Sequence, residues 1–277
     1  MGDNQYDRSP RLTSRRYLWT PLLIWTLAVS ASLALNLWQA DRGVLETALH
    51  TARINYEKDI LYRRWNASHG GVYIKTDKDT PPNPWLAHIP ERDLTTPSGK
   101  HLTLVNPAYM TRQVYRLGLD DTHIQANITS LKPLNPERLP DPWERQALHA
   151  FEAGKDEVSS VEVMHQKPYL RLMRPFYVER GCLNCHQDFT VGGIGGGISV
   201  AVPLNPLYAA DRPHLWVLWA GHLVMWLLGV AGLALANQHL NRDFRLRQQA
   251  EEAMVDTNEK LKIMVFETGC SAARPSC

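Results

Sequence analysis

VSSVEVMHQKPYLRLMRPFYV, residues 158–178, reads as two β-strands, Val158–Met164 and Tyr169–Val178, because β-branched and aromatic residues recur in both runs. Shorter runs of the same kind lie at Val72–Ile74, Leu102–Val105, Ile124–Thr129 and Ile198–Val202. Helical punctuation falls between the earlier ones. Asn106-Pro107 opens a helix expected to end near Gly118, and Asp141-Pro142 opens another ending near Gly154. Upstream, Leu45, Leu49, Ala52, Tyr56 and Ile60 recur at helical spacing and predict a helix over 41–68, continuous with the apolar run before it. A long entry helix followed by antiparallel strands and short helices is an α+β pattern. It suits a PAS-like domain, in which a curved sheet and helices enclose a pocket, and the periodicity alone fits other α+β folds too.

Two apolar stretches flank this region in the 277-residue chain. Tyr17–Ala40 and Pro213–Asn241 contain no Asp, Glu, Lys or Arg, and each exceeds the roughly 20 residues a helix needs to cross a bilayer core. Arg8, Arg11, Arg15 and Arg16 precede the first, and Arg242, Arg245 and Arg247 follow the second. Positive flanks are retained in the cytoplasm, so both termini are expected there, in a bacterial inner membrane, with the centre of the chain in the periplasm. The competing reading of the first stretch is a cleaved signal peptide, but its apolar run is longer than the usual 7–15 residues.

The expected organisation is a cytoplasmic N-terminus at 1–16, a first span at 17–40 and an outer domain at 41–212. A second span at 213–238 and a cytoplasmic juxtamembrane helix and tail at 239–277 complete it, with no complete output domain. The formal charge of +2 offers no argument for a nucleic-acid partner. Arg247, Ala250, Met254, Thr257, Leu261 and Met264 alternate at three- and four-residue spacing, which fits a short coiled coil and a homodimer. His222 lies inside the second span, where packing or a local hydrogen bond is its expected role.

Cys182-Leu183-Asn184-Cys185-His186 is C-x-x-C-H, the signature of c-type haem attachment. The two thiols would form thioethers with the vinyl groups, and His186 would supply a nitrogen to the iron. One covalent haem is expected, and its attachment outside the cytoplasmic membrane agrees with the topology read from the arginines. A zinc site would need further ligands at matching spacing, and none exists in this region. A thioredoxin-type pair would sit near a βαβ pattern, also absent. A structural disulfide is the remaining competing reading.

The sixth iron ligand is open. His69, at the end of the entry helix before Gly70-Gly71, and Met173, on a strand shortly before the motif, are the leading candidates. His88, His101, Met110, His123 and His165 are also available. Gly192–Gly197 matches neither the dinucleotide fingerprint nor a P-loop, and reads as a flexible connection into the next strand. Cys270 and Cys277, in a polar tail without a neighbouring histidine, read as incidental thiols.

Six stretches carry a family resemblance: RRWNASHGGVYI at 63–74, TPPNPWLAHIPERDLTT at 80–96, LTLVNPAYMTRQV at 102–114, ITSLKPLNPERLPDPWE at 128–144, KPYLRLMRPFYVERGCLNCH at 167–186 and GGISVAVPL at 196–204. In this order they resemble the periplasmic c-type haem-binding sensor domains with a PAS-like fold, formerly catalogued as a domain of unknown function. The resemblance implies redox or small-ligand sensing. In that family the domain precedes histidine kinases, diguanylate cyclases or chemoreceptors. Residues 239–277 are too few for such a catalytic domain, so the chain is expected not to be an enzyme, and either to be truncated or to signal through a separate cytoplasmic output protein. The alternative function is a membrane-tethered monohaem electron-transfer cytochrome.

Overall fold

A computed structural model describes residues 11–271 except 134 and 185–188. The element order is α1 (Arg11–Ser68), β1 (Val72–Lys75), β2 (Asp93–Thr95), β3 (His101–Val105), α2 (Pro107–Thr122), β4 (Gln125–Thr129), α3 (Pro142–Glu152), β5 (Val158–Met164), β6 (Lys167–Tyr177), β7 (Ile194–Pro203) and α4 (Leu204–Ser271). The fold is α+β, as the sequence pattern predicts. The strands divide into two antiparallel sheets rather than one curved sheet: β1-β3-β2 and β4-β7-β6-β5. The chain forms two compact units, one spanning Gln39–Pro213 and one made of the terminal segments outside it.

In the central unit, the side chains of the four-stranded sheet alternate between two layers. Leu170, Leu172, Ile198, Val200 and Val202 face α1, where Val44, Ala48, Ala52 and Tyr56 form a stripe at four-residue intervals. The small alanines allow helix and sheet to approach closely. A fully buried side chain such as Leu172 contributes about 2 kcal/mol of hydrophobic stabilisation. Met173 belongs to the opposite layer, buried with Ala147, Leu148 and Phe151 of α3. Sequestration of these residues needs both layers, and β6 is accordingly buried on both faces along its middle.

α3 starts as its local sequence dictates. Asp141 caps the helix, Pro142 occupies the first turn, and Glu144 completes a capping box. Glu144 is buried and also accepts from Ser199 and Asn127. Arg171 reaches Asp141 at 2.8 Å and Glu144 at 3.4 Å, and its guanidinium stacks 4.2 Å from the centroid of Trp143. The capping carboxylates of one helix thus serve as counter-charges for a buried arginine in the sheet.

Two local expectations need correction. α2 runs through Gly118 and ends before His123, whose left-handed backbone (φ 55°) provides the cap. An interior glycine costs only about 1 kcal/mol, too little to stop a helix with downstream residues to extend it. The glycine run is a connection only in its first half: Gly192 and Gly193 form the turn into β7, whereas Gly195–Gly197 lie within the strand. A Cβ on Gly196, where φ is 148°, would fall 2.4 Å from the Thr129 carbonyl oxygen and 2.9 Å from the Phe176 ring. Gly196→Ala is therefore expected to destabilise the protein by about 1–3 kcal/mol through overpacking. Thermal denaturation of the full chain in detergent checks this, and a melting temperature equal to wild type would refute it.

The other unit contains long apolar portions of α1 and α4, which are sufficient in length and composition to cross a membrane. Polar side chains join them. Trp226 donates to Thr26 at 3.1 Å, and Trp25 donates to the Trp226 carbonyl at 3.3 Å. His222 uses Nδ1 against the Leu218 carbonyl and Nε2 against Ser32 Oγ. Its local hydrogen bonding matches the structural role expected for it. Such pairs satisfy polar groups that hydrocarbon would leave without partners.

Candidate functional site

One face of α1 changes character along its length. The small and apolar stripe of residues 44–56 gives way to Asp59, Arg63, Asn66 and Ala67 at three- and four-residue spacing. That polar end meets a cavity of about 540 Å³ inside the central unit. The volume lies within the roughly 300–1000 Å³ typical of small-molecule and cofactor sites.

Apolar walls come from Trp85, Leu86, Leu104, Ile128, Phe176 and Phe189. The proline-rich loop containing residues 83–91 supplies one side, and its turn is organised by Asn83, which accepts from the Trp85 amide. Gly71 and Gly195 also line the cavity. A Cβ on Gly71 would lie 2.7 Å from Leu104 Cδ1, so glycine permits the close approach of the chain after α1 to β3.

Cys182 stands in the cavity wall, in the short 3₁₀ turn Arg180–Asn184, and is a half-buried free thiol. The turn packs against α1, with the Gly181 Cα facing Ala67 closely enough that a Cβ would lie 3.5 Å from its carbonyl oxygen. Cys185 and His186 lie outside the described residues, as do Cys277 and residues 1–10.

The two leading sixth-ligand candidates occupy different settings. His69 is exposed beyond α1, with Nδ1 2.8 Å from the Trp65 carbonyl and its ring 4.8 Å from Trp65. It does not line the cavity, although Gly70 and Gly71 do. Met173 is fully buried in the α3 layer and also does not line it. His88, from the proline-rich loop, does.

The electrostatics of the cavity were not anticipated from sequence. Arg63, Arg112, Lys132 and Arg138 contribute cations to its lining, while Glu91 is the one carboxylate among the described lining residues. Burial lowers the Arg63 and Arg112 pKa values, and Arg138 adds like-charge repulsion at Arg112. Beside Arg63, Asp59 accepts a hydrogen bond from the Tyr115 hydroxyl. Burial raises the Asp59 pKa and, with the neighbouring carboxylate, that of Tyr115. The signal for these cations was present in the stretches 63–74, 102–114 and 128–144, but only folding brings them to one cavity.

The cavity can therefore hold a small, largely apolar group that carries negative charge, because its lining combines aromatic and aliphatic side chains with several cations. A thiol in the wall provides a point of covalent attachment.

Comparison with known proteins gives a family match over residues 39–203, to the family described as Tll0287-like. Among solved structures, one described as "Crystal structure of the cyanobacterial heme-protein Tll0287" matches at 17% identity, covering 56% of this chain and 94% of that chain, with a TM-score of 0.37. No curated protein matches.

Proposed function

The chain belongs to the Tll0287-like family, and from that premise we propose that its central unit holds one covalent c-type haem and senses redox state or a small ligand. The observation that carries the reading is the place of Cys182: the first cysteine of C-x-x-C-H lines a cavity whose apolar walls and cations suit a haem.

In this reading Cys182 and Cys185 would tether the haem, and His186 would supply a nitrogen to its iron. His69 and Met173 are the leading sixth-ligand candidates from the sequence, and His88, also among its candidates, is favoured by its place in the cavity wall, which the other two do not line. The haem would supply a one-electron couple and an axial position for a ligand. Trp85, Leu104 and Phe176 would exclude water, and the glycine-lined parts of the wall would let backbone approach closely.

Connectivity supports the sensor reading. α1 brings Arg63 and Ala67 to the cavity, and its upstream part is apolar enough to span a membrane. β7 lines the cavity at Gly195 and runs from Pro203 directly into α4. A change around the cavity could reach both helices without crossing a flexible loop. With the positive flanks inside, the central unit would be periplasmic and α4 would continue into the cytoplasm. Met254 and Leu261 are exposed on that helix, which fits pairing with a second copy and contact with an output protein.

Optical spectra of the full chain, oxidised, reduced and reduced with carbon monoxide or nitric oxide, test the cofactor and ligand readings. A gas-dependent shift supports small-ligand sensing, whereas indifference to both gases supports redox sensing or electron transfer. Absence of haem absorbance after expression with c-haem maturation machinery overturns the reading. Hydrogen exchange of α4 in both redox and ligand states tests signalling. Identical exchange in all states would favour a membrane-tethered electron-transfer cytochrome.

A further inference from the structure

We propose that Arg63 is the anion-binding residue of the cavity, its guanidinium donating from Nη1 to a carboxylate or small anion held there. The inference rests on the haem reading and deepens it by assigning the charged partner.

Arg63 Nη1 is buried without a hydrogen-bond partner. Its surroundings explain why the group remains in place. The guanidinium lies over the Phe176 ring, 5.0 Å from its centroid, and Phe176 itself lines the cavity. The adjacent Asp59 carboxylate accepts from Tyr115. Neighbouring arginines are satisfied differently: Arg64 pairs with Glu179 at 3.0 Å, and Arg174 pairs with Glu57 at 2.6 Å. Among the described residues no ion pair is made by Arg63, although it projects from the same helix as Arg64.

This difference follows from helical geometry. Residues 59, 63, 66 and 67 continue the buried stripe of α1, whereas Arg64 lies on the exposed face. The site therefore spends a buried cation where an uncharged side chain would satisfy packing. A buried donor of this kind is stabilised by a charged acceptor, which forms a stronger hydrogen bond than a neutral one. Arg112, Lys132 and Arg138 contribute further positive charge to the cavity wall, opposed by Glu91 alone among the described lining residues.

Two sources present the required chemistry. A haem propionate offers a carboxylate fixed to the cofactor, and a free anion entering the cavity offers a mobile one. Arg63 can donate to either, but the consequences differ. Removing the cation beside a propionate makes that carboxylate easier to protonate and couples its titration to the iron potential. Removing the cation beside a free-anion site weakens anion binding while leaving the propionate titration unchanged.

The experiment uses full-length haem-loaded chain in detergent, as wild type, Arg63→Gln and Arg63→Lys. The midpoint potential is followed across pH in anion-poor buffer, and azide is titrated into the ferric protein by optical absorbance. A new pH dependence of the R63Q potential near neutrality, smaller in R63K, identifies a propionate. At least a tenfold rise in the azide dissociation constant of R63Q, with the pH profile of wild type, identifies a free-anion site. Either result supports the inference.

R63Q with both the wild-type pH profile and wild-type azide affinity overturns it. Should R63Q fail to fold, R63K carries the same comparison, because it retains charge but loses the guanidinium fork. Protein mass separates the two levels of failure. Wild type without bound haem overturns the parent reading together with this inference, whereas haem-loaded wild type indistinguishable from both variants overturns this inference alone.

Discussion

Replacement of both Cys182 and Cys185 by serine is expected to abolish covalent haem attachment. A denaturing gel stained for haem should lose its signal completely, and the intact mass should fall by one haem beyond the change in side chains. Serine retains the approximate size of cysteine but does not form the thioether. Cys182 stands half-buried in a short turn where a hydroxyl can be accommodated, so the lost signal should not require loss of the fold. The single variant Cys182→Ser should retain at most one thioether and show an altered spectrum. Full retention of haem by the double variant through denaturation would refute attachment at these positions.

The second large effect concerns the carboxylate network beneath α3. Glu144→Ala is expected to destabilise the protein by about 3–5 kcal/mol, because it breaks a buried ion pair and leaves the opposite charge inadequately compensated. Glu144 accepts from the Asp141 amide, Asn127 and Ser199, and approaches Arg171. Alanine removes every one of these interactions, although Asp141 still contacts Arg171. Glu144→Gln should be milder because its amide oxygen can still accept from the cap and sheet donors. Thermal unfolding of full-length protein in detergent, monitored by near-ultraviolet dichroism, checks both variants. An alanine variant as stable as wild type would show that the network lacks the assigned energetic role.

The helix starts were legible because the responsible residues are neighbours. Asn106-Pro107 and Asp141-Pro142 place a capping acceptor beside a residue suited to the first turn, and both helices begin there. β5 was similarly visible over its full length. β2 was not: Asp93–Thr95 is short and exposed, and its strand character comes from pairing with residues 101–103. The glycine run failed for the converse reason. Its composition favours a loop, but β7 is held between β4 and β6, and packing by Phe176 and Met173 requires residues without side chains.

The candidate site divides in the same way. The motif Cys182–His186 stood out as a candidate because two thiols and an imidazole occur at one short spacing, within five residues. His69 and Met173 had no comparable constraint, and their settings beside Trp65 and within the α3 layer emerge only when distant segments fold.

Contiguous spacing thus identified the two apolar spans, the cap sequences and the C-x-x-C-H motif, since each property resides in neighbouring residues. Tertiary structure decided the division into two sheets and the cavity that places Arg63 near Phe176 and gathers Arg112, Lys132 and Arg138 in the same wall. These features depend on which backbones pair and which side chains lose water together. The physical determinants lie far apart along the chain, so residue identity alone could not reveal which of its many arginines would be buried without a partner.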